Sequence, residues 1–586
     1  MDGLDAFGGD EDAALRYAIA LSLRDTGNPS SKDPIEIVSD GDDDDDDLDK
    51  GPSYPPVTKE PVNQHEKQES QSPPVPNLAP SSHQSVPAPS GFAALRLDRK
   101  KMEEERLARL GKRKAPDFEP EVQGRKQRQK LDTESVVSPT NKDNSHLPYP
   151  KGIVKKTWAK GFSRKDDIKI EEVLQKDELE LAVISSFQWD EAWMLSKINY
   201  RKTKIVCIAF ASNESQQEEI KANIPTGTAI KFCFPPMMPT GNMHSKLQLL
   251  KYPKYLRVVI PSGNLVPYDW GETGVIENIV FLIDLPRLDD SESRSSSNLG
   301  PFGEELCYFL RAQGLEESLV SSLKNYDFSE ADRYRLVHTI GGSHAGDKWQ
   351  RTGYCGLGRA VTSLGLDTTD DIQVDFLASS LGSLNVDLLS AIYYAAQGND
   401  GLKEYGMRNA KGGRNKAPRQ TGLGLKDKFR IYFPSRQTVL KSRGGRGAAG
   451  TICTQSKWWD SESFPRELIR DCKSVRSGLL IHSKLIMVSH SDSSKSKAAF
   501  AYVGSANLSE SAWGRLVKER GTGNPKLTCR NWECGVIVPI SPKSSSDDPQ
   551  LSATSELYNT IPVPMNMPGE AYGDIKSERP WLFLEN

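Results

Sequence analysis

The chain has 586 residues and a formal charge of −3 at pH 7, which is enough length for two or three domains. The near-neutral total conceals an acidic start: residues 1–60 hold 17 acidic against 5 basic side chains, a net of −12, leaving +9 on the remainder. From residue 151 onward 56 Lys and Arg face 50 Asp and Glu, a mild excess that permits a nucleic-acid or phosphate partner without requiring one. Eight cysteines without a CxxC pair exclude a common zinc-ligand framework and predict a reducing compartment. The start does not read as a signal peptide and no apolar run approaches ~18–20 residues, so a soluble intracellular protein is expected.

Residues 1–150 are expected to form a disordered regulatory tail, because Pro, Ser, Gln, Asp and Lys dominate and the six-residue run Asp42–Asp47 buries nothing. Within it, residues 11–25 resemble a ubiquitin-interacting motif, with Leu15, Ala18, Ile19 and Ser22 on one helical face. A generic amphipathic helix satisfies the same pattern. Residues 35–38 (Ile35-Glu36-Ile37-Val38) resemble a SUMO-interacting motif, an apolar strand followed by acids. Two basic clusters within 112–130, Lys112-Arg113-Lys114 and Arg125–Lys130, look like a bipartite nuclear localisation signal and predict the nucleus.

Aromatic and β-branched density rises near Trp158. Ile205–Phe210 and Arg257–Ile260 read as buried strands and Asp177 to Asn199 as helical, which together predict an α/β core. The loop Arg443–Gly447 reads as solvated, with a flexible phosphate clamp as the alternative.

An internal repeat organises this region. His244-Ser245-Lys246-Leu247 is followed by Ser262-Gly263-Asn264-Leu265 and Trp270-Gly271; His482-Ser483-Lys484-Leu485 is followed by Ser505-Ala506-Asn507-Leu508 and Trp513-Gly514. The repeat predicts two similar α-β-α sandwich halves, 151–340 and 341–586, related by a pseudo-two-fold axis. Lys to Asn spans 18 residues in one copy and 23 in the other, a difference that one hairpin loop absorbs.

A bare HxK triplet is weak evidence, as His65-Glu66-Lys67 in the tail shows. The other two are followed by apolar runs, so His and Lys share one face of an extended segment. That set suits phosphoryl transfer. One neutral imidazole attacks phosphorus, a second histidine protonates the leaving oxygen, and two Lys and two Asn hold the non-bridging oxygens, with no metal or other cofactor needed.

These residues resemble the phospholipase D superfamily, whose motif is HxK, four residues, then Asp. Lys251 and Ser489 stand at the Asp positions here, and loss of both with Asn264 and Asn507 downstream is similar to the tyrosyl-DNA phosphodiesterase family. The resemblance, covering 151–586, implies a repair enzyme and 3′-end nuclease that cleaves the bond between a DNA 3′-phosphate and a topoisomerase I tyrosine. It implies His244 as nucleophile, His482 as general acid and then base, and Lys246, Lys484, Asn264 and Asn507 as phosphate ligands. Glu533 and Glu277 would orient the histidines. DNA would lie on Ser380, Leu381, Gly382 and Ser383, and on Leu508, Ser509, Glu510 and Ser511. The expected partners are DNA with blocked 3′ ends and a topoisomerase-derived peptide, with ubiquitin and SUMO through the tail, no membrane, and a monomeric enzyme. The rival readings are a lipid-cleaving phospholipase D or related nuclease, and a non-catalytic ubiquitin/SUMO-binding scaffold.

Overall fold

Short β-branched runs in the body of the chain form two mixed sheets. The computed structural model describes residues 147–586 except 212, 223, 225–226, 239, 290–297, 411–423, 491–498, 541–560, 573–577 and 584–586. The motifs at 11–25, 35–38 and 112–130, like His65-Glu66-Lys67, lie outside the described residues.

The first half supplies β1 (Ile153–Thr157), β2 (Asp167–Ile168), β3 (Leu181–Ser185), β4 (Lys204–Ile208), β5 (Ile230–Cys233), β6 (Gln248–Lys251), β7 (Tyr255–Pro261), β8 (Ile276–Glu277) and β9 (Ile279–Pro286). The second supplies β10 (Arg335–Thr339), β11 (Gly342–His344), β12 (Ile372–Leu377), β13 (Phe429–Phe433), β14 (Ile469–Asp471), β15 (Leu480–Ile481), β16 (Lys484–His490), β17 (Ala499–Gly504), β18 (Arg515–Lys518), β19 (Pro525–Cys529) and β20 (Glu533–Ile540). After the edge strand β2, the first sheet runs β1-β9-β7-β6-β3-β4-β5, and the second runs β10-β20-β17-β16-β12-β13-β14. Both read as four antiparallel pairings followed by two parallel ones. The repeated cassettes are therefore the visible part of a repeated topology.

Two expectations shift. The stretch 177–199 is not one helix: Leu181–Ser185 is β3, buried between β4 and β6, and the helix is confined to Glu191–Lys197, where Asp190 caps the Trp193 N–H at 2.9 Å. The half boundary at 340 falls one strand late, because β10 pairs with β20, about 200 residues further on, and nothing local announces so distant a partner. Arg443, on the loop expected to be solvated, is exposed yet lies 4.8 Å over the Phe162 ring and donates to the carbonyls of Lys160 and Gly274, tying the halves together.

The halves share their middle layer. Val258 and Phe281 of the first sheet, Leu485, Val503 and Val536 of the second, and Phe302, Leu306 and Phe309 of the helix Gly300–Ala312 form one buried cluster. The outer face of the first sheet is covered by Val173 and Met194, and that of the second by Leu357 and Ile392 from the helices Gly353–Ser363 and Val386–Ala396. Burial of each such side chain contributes roughly 1.5–3 kcal/mol, so the two sheets are held face to face rather than tethered. Within each sheet the hairpin β6–β7 or β16–β17 sets the start of one strand beside the end of the next, as Gln248 opposite Val259 and Lys484 opposite Gly504. That pairing brings HSKL to the Asn-Leu turn.

Candidate active site

Each cassette is clamped across the interface. The His244 N–H donates to the Trp532 carbonyl at 3.0 Å, and the Trp532 N–H returns to Asn242 at 2.8 Å. In the other copy the His482 N–H donates to the Glu277 carbonyl at 2.9 Å, next to the parallel β15–β8 pair. The halves thus meet through an isolated bridge from Met243 to Trp532 in one copy and a separate two-stranded sheet in the other, and the histidines, 5% and 4% exposed, converge at the seam.

Their side chains are anchored in the same crossed manner. His244 Nδ1 lies 2.8 Å from Glu533 Oε2, which also accepts from the Ser505 hydroxyl, while Glu533 Oε1 accepts from Asn531 Nδ2 at 3.1 Å. His482 Nδ1 lies 2.9 Å from Asp269 Oδ1. Glu277 is therefore not the orienting group: its carboxylate binds the Ser474 hydroxyl and sits 3.1 Å from Arg476 Nε. The reason is strand parity. Glu277 faces away from the site because its neighbour faces into it, and that neighbour, Asn278, donates from Nδ2 to Asp269 Oδ1 at 3.0 Å. Asp269 and Asn278 were missed by sequence reasoning; the faint signal was Asp269 directly preceding the repeated Trp-Gly. Phe187, whose ring lies 5.2 Å from that of His244, left no signal at all.

Burial pushes both histidines down, to about 4 in each case, against the pull of Glu533 on His244 and Asp269 on His482, with the two lysines adding to the fall. Burial alone would raise the two carboxyls. The histidine that each faces and the lysine nearby outweigh it, and both acids are held below the usual carboxylate range. Near neutrality the site thus holds two neutral imidazoles that donate Nδ1–H to carboxylates, leaving the Nε2 lone pairs for chemistry.

Lys246 Nζ donates to the His244 carbonyl at 2.8 Å and Lys484 Nζ to the His482 carbonyl at 2.7 Å. Lys484 also reaches the Ser262 carbonyl at 3.3 Å, across the halves. Burial, then the charge of Lys246, hold Lys484 well below the ordinary lysine value. Two buried lysines beside the two histidines give the site donors suited to holding an anion. Asn264 Oδ1 accepts from the Gln188 N–H at 3.3 Å, and Asn507 Oδ1 from the Ser380 N–H at 3.1 Å, so each amide offers Nδ2 as its donor. Among the described residues no group of three or more His, Cys, Asp and Glu is arranged to hold a metal ion, and no helix is long and apolar enough to cross a membrane.

The two segments read as DNA contacts lie side by side, with Leu381 bridged to Leu508 and the Gly382 N–H on the Leu508 carbonyl at 3.1 Å. Leu381 and Leu508 are core residues, Gly382 and Ser511 are buried, and the Ser509 hydroxyl caps the Ala512 N–H. Ser383 is exposed, while Ser380, Asn507 and Glu510 are half-buried.

A profile of the tyrosyl-DNA phosphodiesterase family matches residues 153–573. A tyrosyl-DNA phosphodiesterase 1 from Arabidopsis thaliana is 24% identical over 416 residues, 68% of this chain and 63% of its own length; the chain thus spans a little under two thirds of that relative. A probable tyrosyl-DNA phosphodiesterase from Caenorhabditis elegans is 23% identical over 337 residues, 53% of this chain and 68% of its own. The crystal structure of the yeast tyrosyl-DNA phosphodiesterase superimposes with a TM-score of 0.50 at 17% identity, covering 74% of this chain and all of that one, a likeness of fold.

Proposed function

The chain belongs to the tyrosyl-DNA phosphodiesterase family, and on that footing we propose that it hydrolyses the bond between a DNA 3′-phosphate and the tyrosine of a topoisomerase I remnant. The observation that carries the reading is the pair of crossed Nδ1–carboxylate contacts, at 2.8 and 2.9 Å, which leave two Nε2 atoms available between two buried lysines. His244 Nε2 attacks phosphorus and forms the P–N bond while the P–O bond to tyrosine breaks. His482, protonated once the substrate anion is bound, gives its Nε2 proton to the departing phenolate. Neutral His482 then takes a proton from water, the hydroxide displaces His244, and a 3′-phosphate is released. Lys246, Lys484 and the amides of Asn264 and Asn507 hold the non-bridging oxygens. Acid–base transfer of this kind contributes roughly 10²–10⁴-fold.

Ser380, Ser383 and Glu510 flank the site as the rim along which a DNA strand lies, positioned through phosphate rather than bases. The basic clusters in 112–130 support a nuclear address, and the motifs at 11–25 and 35–38 support docking of ubiquitin and SUMO. The test is incubation, in chelator, with an oligonucleotide carrying a 3′-phosphotyrosine. Release of tyrosine and a 3′-phosphate end is expected, and an unchanged substrate would overturn the proposal.

A further inference from the structure

The halves match in topology, but their two histidine anchors do not occupy matching positions. In the second half the acid follows Trp532, whose carbonyl holds the His244 N–H, and the residue before Trp513-Gly514 is Ala512. In the first half the residue following Glu277, whose carbonyl holds the His482 N–H, is the amide Asn278, and the residue before Trp270-Gly271 is Asp269. The hydroxyls confirm the correspondence: Ser505 donates to Glu533 as Ser262 donates to Asn278 Oδ1.

We propose that Asp269 and Asn278 are the joint positioning pair of His482, and that the carboxylate can be exchanged between these two positions without losing its task. Asn278 keeps the strand position of Glu533 but gives up the charge, and uses Nδ2 to grip Asp269 at Oδ1 (3.0 Å) and at its carbonyl (3.1 Å). A glutamate at 278 beside Asp269 would set two carboxylates within hydrogen-bond reach, where one must take a proton. Asp269→Ala removes that conflict and vacates the space that a longer side chain at 278 needs. Asp269 has a further duty that Glu533 does not show: its Oδ2 accepts the Asn264 backbone N–H at 2.6 Å, so one side chain links the proton-transferring histidine to the turn that presents a phosphate-binding amide.

This inference rests on the phosphodiesterase reading, and wild-type cleavage of the 3′-phosphotyrosyl oligonucleotide separates the two: an inactive wild type defeats that reading, whereas the variants test the exchange. Asp269→Asn and Asp269→Ala should each lower kcat about 100-fold, the usual cost of losing the partner that orients a functional histidine, with KM changing far less. Loss of the carboxylate also lowers the His482 pKa, so the alkaline limb of the pH–rate profile should move to lower pH. Asp269→Ala/Asn278→Glu should regain at least about tenfold in kcat over Asp269→Ala and restore that limb, which a merely structural role for Asp269 would not produce. A folded double variant no faster than Asp269→Ala, or an Asp269→Asn protein with wild-type kcat, would overturn the proposal. If the double variant does not melt cooperatively, Asp269→Asn with a near-wild-type Tm decides: loss of kcat with the shifted limb supports the assignment, and unchanged kinetics reject it.

Discussion

The indole Nε1–H of Trp513 donates to the backbone carbonyl of Asn507 at 2.9 Å, and Trp270 does the same to Asn264 at 3.0 Å. This contact accounts for the four-residue interval between Asn-Leu and Trp-Gly: the chain closes a turn whose first residue presents an amide to the seam and whose last is a buried ring, wedged at Trp513 against Tyr502 and Phe376. Trp513→Phe keeps most of the ring and deletes the donor. It should cost about 1–2 kcal/mol of stability and lower kcat/KM about tenfold through a loosened Asn507, a loss of about 1.4 kcat/KM-derived kcal/mol in transition-state binding. Urea melts and steady-state kinetics check it, and unchanged kcat/KM in a destabilised protein would separate the turn from the chemistry.

Repetition made this part of the site legible. His244, Lys246 and Asn264 are visible because His482, Lys484 and Asn507 repeat them, and the shared strand order explains why they repeat. The same logic concealed the anchors, since Asp269 against Ala512 and Asn278 against Glu533 are places where the halves differ. Glu277 was a one-residue parity error. The strand β3 was hidden in a stretch of mixed polarity because Leu181–Ser185 is buried on both faces and so carries no alternation.

Glu277→Gln distinguishes structure from chemistry. The carboxylate is fully buried, raised by that burial against the pull of Arg476, Ser474 and Lys156, and it pairs with Arg476, whose Nη2 reaches the Thr157 carbonyl at 2.9 Å. Removing the charge leaves the partly buried Arg476 guanidinium only the more distant Asp167 carboxylate, 4.0 Å from Nη1, a loss of about 1–3 kcal/mol. Activity should stay within about threefold of wild type, whereas Glu533→Gln, which weakens the hold on His244, should lower kcat about 10–100-fold. Equal losses of kcat in the two variants would return Glu277 to the histidines.

Stability should fall with acid in two stages. Both site histidines are depressed to about 4 from about 6.5 in the unfolded chain, so between these values the unfolded state binds more protons and stability rises with pH. The stability present at pH 7 is lost as the pH drops from about 6.5 towards 4, at most roughly 3 kcal/mol per histidine. Asp269 and Glu533 are depressed, so their contribution is complete above the ordinary carboxylate range and disappears only below pH 4. His344, lowered chiefly by burial, acts with the same sign as the site pair. A His244→Asn/His482→Asn protein should therefore show a shallower loss of urea midpoint between pH 6.5 and 4 than wild type. Parallel curves would contradict the depressed values.

The crossed anchoring also separates the roles of the two histidines. His244 keeps its tautomer through Glu533, Ser505 and Asn531, none of which touches His482. In His482→Ala the nucleophile should remain set, and tyrosine, a better leaving group than an alkoxide, can depart without full protonation. Hydrolysis of the P–N bond has no such escape, because water must lose a proton to a base that is missing. A covalent DNA adduct should accumulate on His244 at the expense of product, visible as a shifted band on a denaturing gel and located by mass spectrometry. His244→Ala should form none, since His482 is held by Asp269 from the opposite face of the seam. An adduct of equal yield in His244→Ala would reverse the assignment and make Asp269 the anchor of the nucleophile.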